Sequence, residues 1–344
     1  MMLLKRYTQN TIPLFSALGL FVLIMDSKTA ILGAAEGVQI CIQTLIPSLF
    51  PFFIISGYFC KVYSQIKLPF LEPVMRLCGI PQGAESLFII GILGGYPVGA
   101  KNIADAFIDG KIDKKTAHRM LGFCNNAGPA FVFGVVSGIF DSPIKCWLLL
   151  FILLLSAILT SCILPGKNRH KCIQMDKKVP SFTECFEGSI TSTASVCGWV
   201  ILFRVLITIL KRWLLWIFPV RIQLILTGIL ELSNGCISLG EIENEGLRFI
   251  LSSAFLSFGG ICVYLQTKSV TKKLGTGYYF PGKLIQTSLC IIISAIVQQF
   301  AAEYSRSTLI LLIAIPVVIL LICFVYTYKQ QKKNNCSNFN TAVV

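Results

Sequence analysis

Charge is what this chain has least of. Only 13% of its 344 residues are Asp, Glu, Lys or Arg, against roughly 25% in an ordinary soluble domain. With 55% of residues apolar, the chain has too little charge to cover a water-facing surface. The composition therefore excludes a soluble domain and implies a polytopic membrane protein. Acidic residues are scarcer than basic ones, 16 against 30. The basic residues cluster between apolar runs, where they read as cytoplasmic anchors under the positive-inside rule. No nucleic-acid motif accompanies them, so no nucleic acid is expected as a partner. Histidine is almost missing: His118 and His170 are the only two, too little for a histidine metal site or a proton relay. Cysteines number 14, yet none are spaced C-x-x-C, and most sit inside apolar runs as small hydrophobes. A disulfide framework and a zinc site are thereby excluded, and neither metal nor cofactor is expected. There is no G-x-S-x-G elbow, no H-E-x-x-H and no G-x-x-x-x-G-K-[ST] loop, so no enzymatic activity is expected.

What the chain does have is a series of apolar segments, several of them interrupted. Residues 1–27 carry a basic start (Lys5, Arg6) and an apolar core to Met25, with no small-x-small cleavage site after it, and read as an uncleaved signal anchor. Lys28 to Gln43 is only mildly apolar and is predicted to lie as a helix at the interface. Thr44 to Phe59 is apolar but carries Pro47 and Pro51. Residues 85–109 are broken at Gly94-Gly95-Tyr96-Pro97, and 120–140 at Asn125-Asn126-Ala127-Gly128-Pro129. Ile144 to Leu164 is an unbroken run of spanning length. The stretch 165–180 holds Lys167, Arg169, Lys171, Lys177 and Lys178 and reads as a cytoplasmic linker. Then the plan recurs: a mildly polar stretch (181–195), an apolar run (196–210), a segment ending at Glu231 to Gly235, and a run interrupted at Gly259-Gly260. Two plain spans, from Leu284 and from Thr308, precede a basic tail, 329–344.

Short matches support a duplication. Ala35-Glu36-Gly37 answers Phe186-Glu187-Gly188, Gly91-Ile92-Leu93 answers Gly228-Ile229-Leu230, and Ala127-Gly128 answers Gly259-Gly260, all in the same order. The loop charges, counted by the positive-inside rule, give the halves opposite orientation. The expected fold is all-α: a polytopic helical membrane protein with broken or re-entrant helices and two inverted-topology repeats, 28–164 and 181–328. Both termini are expected in the cytoplasm. Lys211, Arg212 and Arg221 fall outside in that scheme and count against it.

In lipid every backbone amide and carbonyl needs a partner, so a helix break is tolerated only where protein or a water-filled cavity covers it. In transporters such breaks hold substrate or coupling ion. The candidate binding residues are therefore those at the breaks. Gly94, Gly95 and Gly99 allow close backbone approach; Tyr96 and Pro97 shape the first break; Lys101 follows on the next helix turn. Asn125 and Asn126, beside Gly128 and Pro129, carry amides that donate and accept. They serve either a polar ligand or the backbone groups that the break leaves free. Glu231 is an ionisable group deep in an apolar segment, a functional candidate by default; the competing reading is a helix-end glutamate, since Ser233-Asn234-Gly235 looks like a helix terminus. Gly259 and Gly260 form either a further break or a close helix crossing, and Gln266 either faces the cavity or anchors a span's end.

Four motifs in this order, GGYPVGAK (Gly94 to Lys101), CNNAGPAF (Cys124 to Phe131), GILELSNG (Gly228 to Gly235) and SFGGICVYLQ (Ser257 to Gln266), resemble the YlbJ-like sporulation integral membrane proteins, within the group carrying the nucleoside-recognition or Gate domain. The resemblance implies a multi-pass protein of the cell (inner) membrane, needed for the spore cortex. It further implies a transporter-like role in which a small polar solute is bound or moved between the repeats, with spore-envelope proteins as possible partners besides the lipid bilayer. Two alternatives stay open: a non-transporting scaffold for spore-envelope assembly, and a general Gate-domain nucleoside or solute transporter unrelated to sporulation.

Overall fold

The computed structural model describes residues 17–63, 72–166 and 181–300. The start of the predicted anchor, most of the linker, the predicted span from Thr308 and the basic tail lie outside these. Among the described residues the secondary structure is helical and contains no strand. Five helices are long and apolar enough to cross a membrane: Ser27–Tyr58, Pro143–Ile163, Phe182–Trp213, Glu245–Leu274 and Tyr279–Gln299.

The first of these is α1 (Ser27–Ile40), a π-helical turn (Cys41–Leu45) and α2 (Ile46–Tyr63), run on without a break. Short helices follow: α3 (Glu72–Cys78), α4 (Glu85–Leu93), α5 (Val98–Ile108), α6 (Lys114–Leu121) and α7 (Pro129–Ile139). The long α8 (Pro143–Ile163) closes the first half. The second half repeats the order. A long helix, α9 (Phe182–Trp213), precedes a pair of short ones, α10 (Val220–Leu230) and α11 (Leu232–Ser238). A second broken pair, α12 (Glu245–Phe258) and α13 (Gly260–Thr271), precedes the long α14 (Tyr279–Phe300).

Counterpart helices run antiparallel. Along α1–α2 and α9, Asp26 meets Trp213 at one end and Tyr58 stacks on Phe182 at the other. Between α8 and α14, Leu164 and Gly282 both lie against Gly122, while Ser156 and Cys290 touch mid-helix at 3.0 Å. Opposite direction in matched elements is what an inverted repeat requires. The short pairs also match. α4 and α5 cross where Gly91 faces Gly99, and α10 and α11 cross where Gly228 faces Gly235: a Cβ on Gly99 would lie 2.9 Å from Gly91 Cα, and one on Gly235 2.3 Å from Gly228 Cα. Only a residue without a side chain lets two backbones approach this far.

Two sequence expectations are corrected. The stretches 28–43 and 181–195 are not separate interfacial helices; each is the first part of a long continuous one. The reason is mutual cover. Gly33 and Gly37 admit α9 so closely that a Cβ at either would stand 2.9 Å from the Cα of Val205 or Ile201. The polar Glu36 is matched by Arg204, 2.9 Å away. A 32-residue helix is about 48 Å long, so each of these two is longer than the hydrocarbon core, about 30 Å, is thick.

Candidate functional site

Four chain breaks meet at one level of the molecule. At the first, Gly95 turns the chain with φ 68°, beyond reach of most side-chain-bearing residues. It packs on the second break, at Gly128, where an added Cβ would stand 2.9 Å from the Gly128 amide. The third break is Glu231, the extended residue between α10 and α11. The fourth is Gly259-Gly260, with φ 78° and 79°. Gly260 lies against the carbonyls of Ile229 and Leu230, and Gly259 against the Tyr96 ring. Tyr96 closes the circle: its hydroxyl donates to the carbonyls of Leu256 and Ser257 at 3.3 and 3.2 Å, the last turn of α12. The freed carbonyls of one half are thus partnered by a side chain of the other, as backbone inside a membrane demands.

A cavity of about 40 Å³ sits at this junction, space for a few water molecules at roughly 10–15 Å³ each. Gly94, Gly95, Tyr96 and Gly128 line it from the first half, and Glu231, Ser233 and Gln266 from the second. Its remaining wall is apolar, with Leu49, Phe53, Phe131, Val196 and Val263. Glu231 is 1% exposed and caps α11. Its carboxylate accepts from the Ser233 amide at 2.9 Å and from the amide and side chain of Asn234, each at 2.6 Å. All three partners donate, which suits an ionised carboxylate. Asn234 also accepts from Arg204 at 2.8 Å. The buried carboxylate is in this way linked through one amide to Arg204 and onward to Glu36.

The other candidates fall around the cavity rather than in it. Pro97 precedes the first turn of α5 and Pro129 opens α7. Gly99 serves the α4–α5 crossing, and Gly259 and Gly260 serve the contact between breaks. Asn125 is fully buried; it accepts from the Ala100 amide and donates to Thr267, both at 3.1 Å. Asn126 donates to the Phe123 carbonyl at 2.8 Å and accepts from Lys283 at 2.9 Å. Lys101 is exposed and lines a different cavity.

Lys283 is the residue that sequence reasoning missed. It is 0% exposed, donates to Asn126 and, at 2.7 Å, to Gln286, and stands 5.1 Å from the Tyr96 ring centre. The apolar run that marks this span in the sequence starts at Leu284, which leaves Lys283 just ahead of it. The helix in fact begins at Tyr279, five residues earlier, and the Lys283 ammonium lies inside the protein. The signal available was Tyr279-Phe280-Pro281-Gly282, a helix start ahead of the lysine. No group of three or more His, Cys, Asp or Glu side chains among the described residues is arranged to hold a metal ion.

Fold and site together define a multi-pass helical membrane protein with a buried polar junction between two repeated halves. Within that class the chain is similar to the sporulation integral membrane protein YlbJ of Bacillus subtilis (strain 168), 22% identical over 304 residues, 74% of each chain. This similarity supports a YlbJ-like family, the one the four motifs imply. No protein-family model matches the chain, and no solved structure matches it.

Proposed function

We propose that this protein acts in spore formation by binding, and moving across the cell membrane, a small polar solute held at the junction of the two halves. The observation that carries the reading is Glu231, a buried carboxylate lining a cavity where four helix breaks meet. An ionisable group at such a place marks a solute or ion path in membrane proteins. The name of the Bacillus relative supplies the setting, sporulation, and the cortex is the spore layer the family resemblance points to. The basic segments place both termini in the cytoplasm in this proposal.

The test is a count of heat-resistant spores from a deletion strain complemented with wild type, with Glu231→Gln, or with Gln at Lys111, Lys114 and Lys115. Membrane levels are checked for each. Transport predicts that Glu231→Gln fails at normal membrane level while the lysine variant sporulates. A scaffold that assembles envelope proteins predicts the reverse. If the deletion strain sporulates normally, the sporulation role is wrong.

A further inference from the structure

Next to the Glu231 cavity lies a second, larger one of about 140 Å³. Its character differs. Lys101, Asp105 and Glu184 are exposed on its walls, and Ser56, Ser189 and Ser192 lie deeper. Three exposed charges of both signs belong at a water-filled mouth, because charge in contact with lipid is costly.

The two cavities share walls. Phe53 and Gly94 line both, and Phe53 is only 5% exposed. Two antiparallel helices connect them in step. Along α9 one face runs from Ser189 and Ser192 in the outer cavity to Val196 and Val200 in the inner one, a helical spacing. Along α2 the direction is opposite: Ser56 and Gly57 lie in the outer cavity, Phe53 at the boundary and Leu49 in the inner one. The face is polar outside and apolar inside, with a single aromatic ring at the division.

The helix carrying that ring is built to yield. Pro51 lies inside α2, where it removes one backbone hydrogen bond and favours a bend. A π-helical turn, Cys41–Leu45, precedes α2, and a second, Val132–Val136, follows Phe131 on the facing helix. The two turns pack together. Such turns are frequent at functional sites.

We infer that the second cavity is the aqueous vestibule of the first, with Phe53 as the gate between them. The vestibule opens beside Glu184, four residues after the basic linker ends at Pro180; by the positive-inside rule this is the cytoplasmic side. This route rests on the reading of the Glu231 cavity as a solute site, but its test involves no solute. Reporter cysteines Ser192→Cys in the vestibule and Val196→Cys in the inner cavity are placed in a Cys185→Ser background, since Cys185 also lines the vestibule. The probe is a small water-soluble methanethiosulfonate applied to inside-out membrane vesicles, with labelling rates read by mass. A lipid-facing reporter, Leu202→Cys, at a position 58% exposed, sets the background.

The expected result is rapid labelling at Ser192→Cys, slow labelling at Val196→Cys, and an increase at the latter of about tenfold when Phe53 becomes Ala. Phe53→Leu keeps more of the packing and should give an intermediate increase, so a poorly folded Phe53→Ala does not decide the matter. A Val196→Cys rate that neither Phe53 variant changes would overturn the gate. Ser192→Cys labelling no faster than Leu202→Cys would overturn the vestibule. Either result leaves the Glu231 reading to the spore count.

Discussion

Glu231 holds three donors at 2.6 to 2.9 Å, so its replacement has two separable effects. Glu231→Ala strands those donors in a buried place, and the folded protein should lose at least about 2 kcal/mol, given about 1–3 kcal/mol for each buried unmet group. Glu231→Gln keeps one oxygen and most of the shape, so thermal unfolding in detergent should fall less than for Glu231→Ala. A variant whose stability is near normal but whose spores fail separates function from folding. Lys283 is a second test at this scale. Lys283→Met removes the donor shared by Asn126 and Gln286 and leaves two buried amide oxygens unmatched. Its unfolding temperature should drop, whereas a lysine standing at the interface would tolerate the change.

At the scale of elements, glycine decides how the short helices cross. A Cβ on Gly91 would lie 1.6 Å from the Cys124 carbonyl oxygen, and one on Gly228 2.2 Å from the Phe255 ring. Neither neighbour is the free end of a flexible chain, so Gly91→Ala and Gly228→Ala should each abolish the monodisperse peak in detergent gel filtration. Gly198, in the middle of α9, meets nothing within 4 Å. Gly198→Ala should therefore be harmless or stabilising by about 0.5–1 kcal/mol, the ordinary gain of removing glycine from a helix. Equal tolerance at all three positions would show that the crossings are looser than described.

Among the described residues, large apolar side chains face outward and polar ones join the apolar core inside. Trp147, Phe151, Leu202 and Trp216 are more than half exposed, while Ser156, Thr160, Ser161, Gln286 and Lys283 are fully buried. Against lipid this is the stable arrangement, since the hydrophobic effect gives no reason to bury apolar faces there and polar side chains seek one another inside. The antiparallel pairing of the long helices is open to a direct check. Cysteines replacing Asp26 and Trp213 should cross-link with a short bis-maleimide, and so should those replacing Tyr58 and Phe182. The mixed pair at Asp26 and Phe182 should not, because these positions lie at opposite ends of the pair. Cross-linking of the mixed pair alone would overturn the antiparallel arrangement.

The sequence by itself determined the class and two of the helix breaks. Composition required lipid, because 13% charge cannot solvate a surface. Glycine and proline marked the breaks at 94–97 and 259–260, since few other residues accept those dihedrals. The repeat was legible because Gly91 and Gly228 do the same steric work in each half. Tertiary structure alone decided which polar residues face the cavity. Asn125 and Glu231 look alike in sequence, polar and set among apolar neighbours, yet Asn125 is satisfied by Ala100 and Thr267, while Glu231 lines open space. The same holds for Lys283 and Arg204, whose partners Asn126 and Glu36 lie more than a hundred residues away, through contacts that no local pattern encodes. Local dihedral limits are written in the chain; long-range pairing is settled only when the two halves meet.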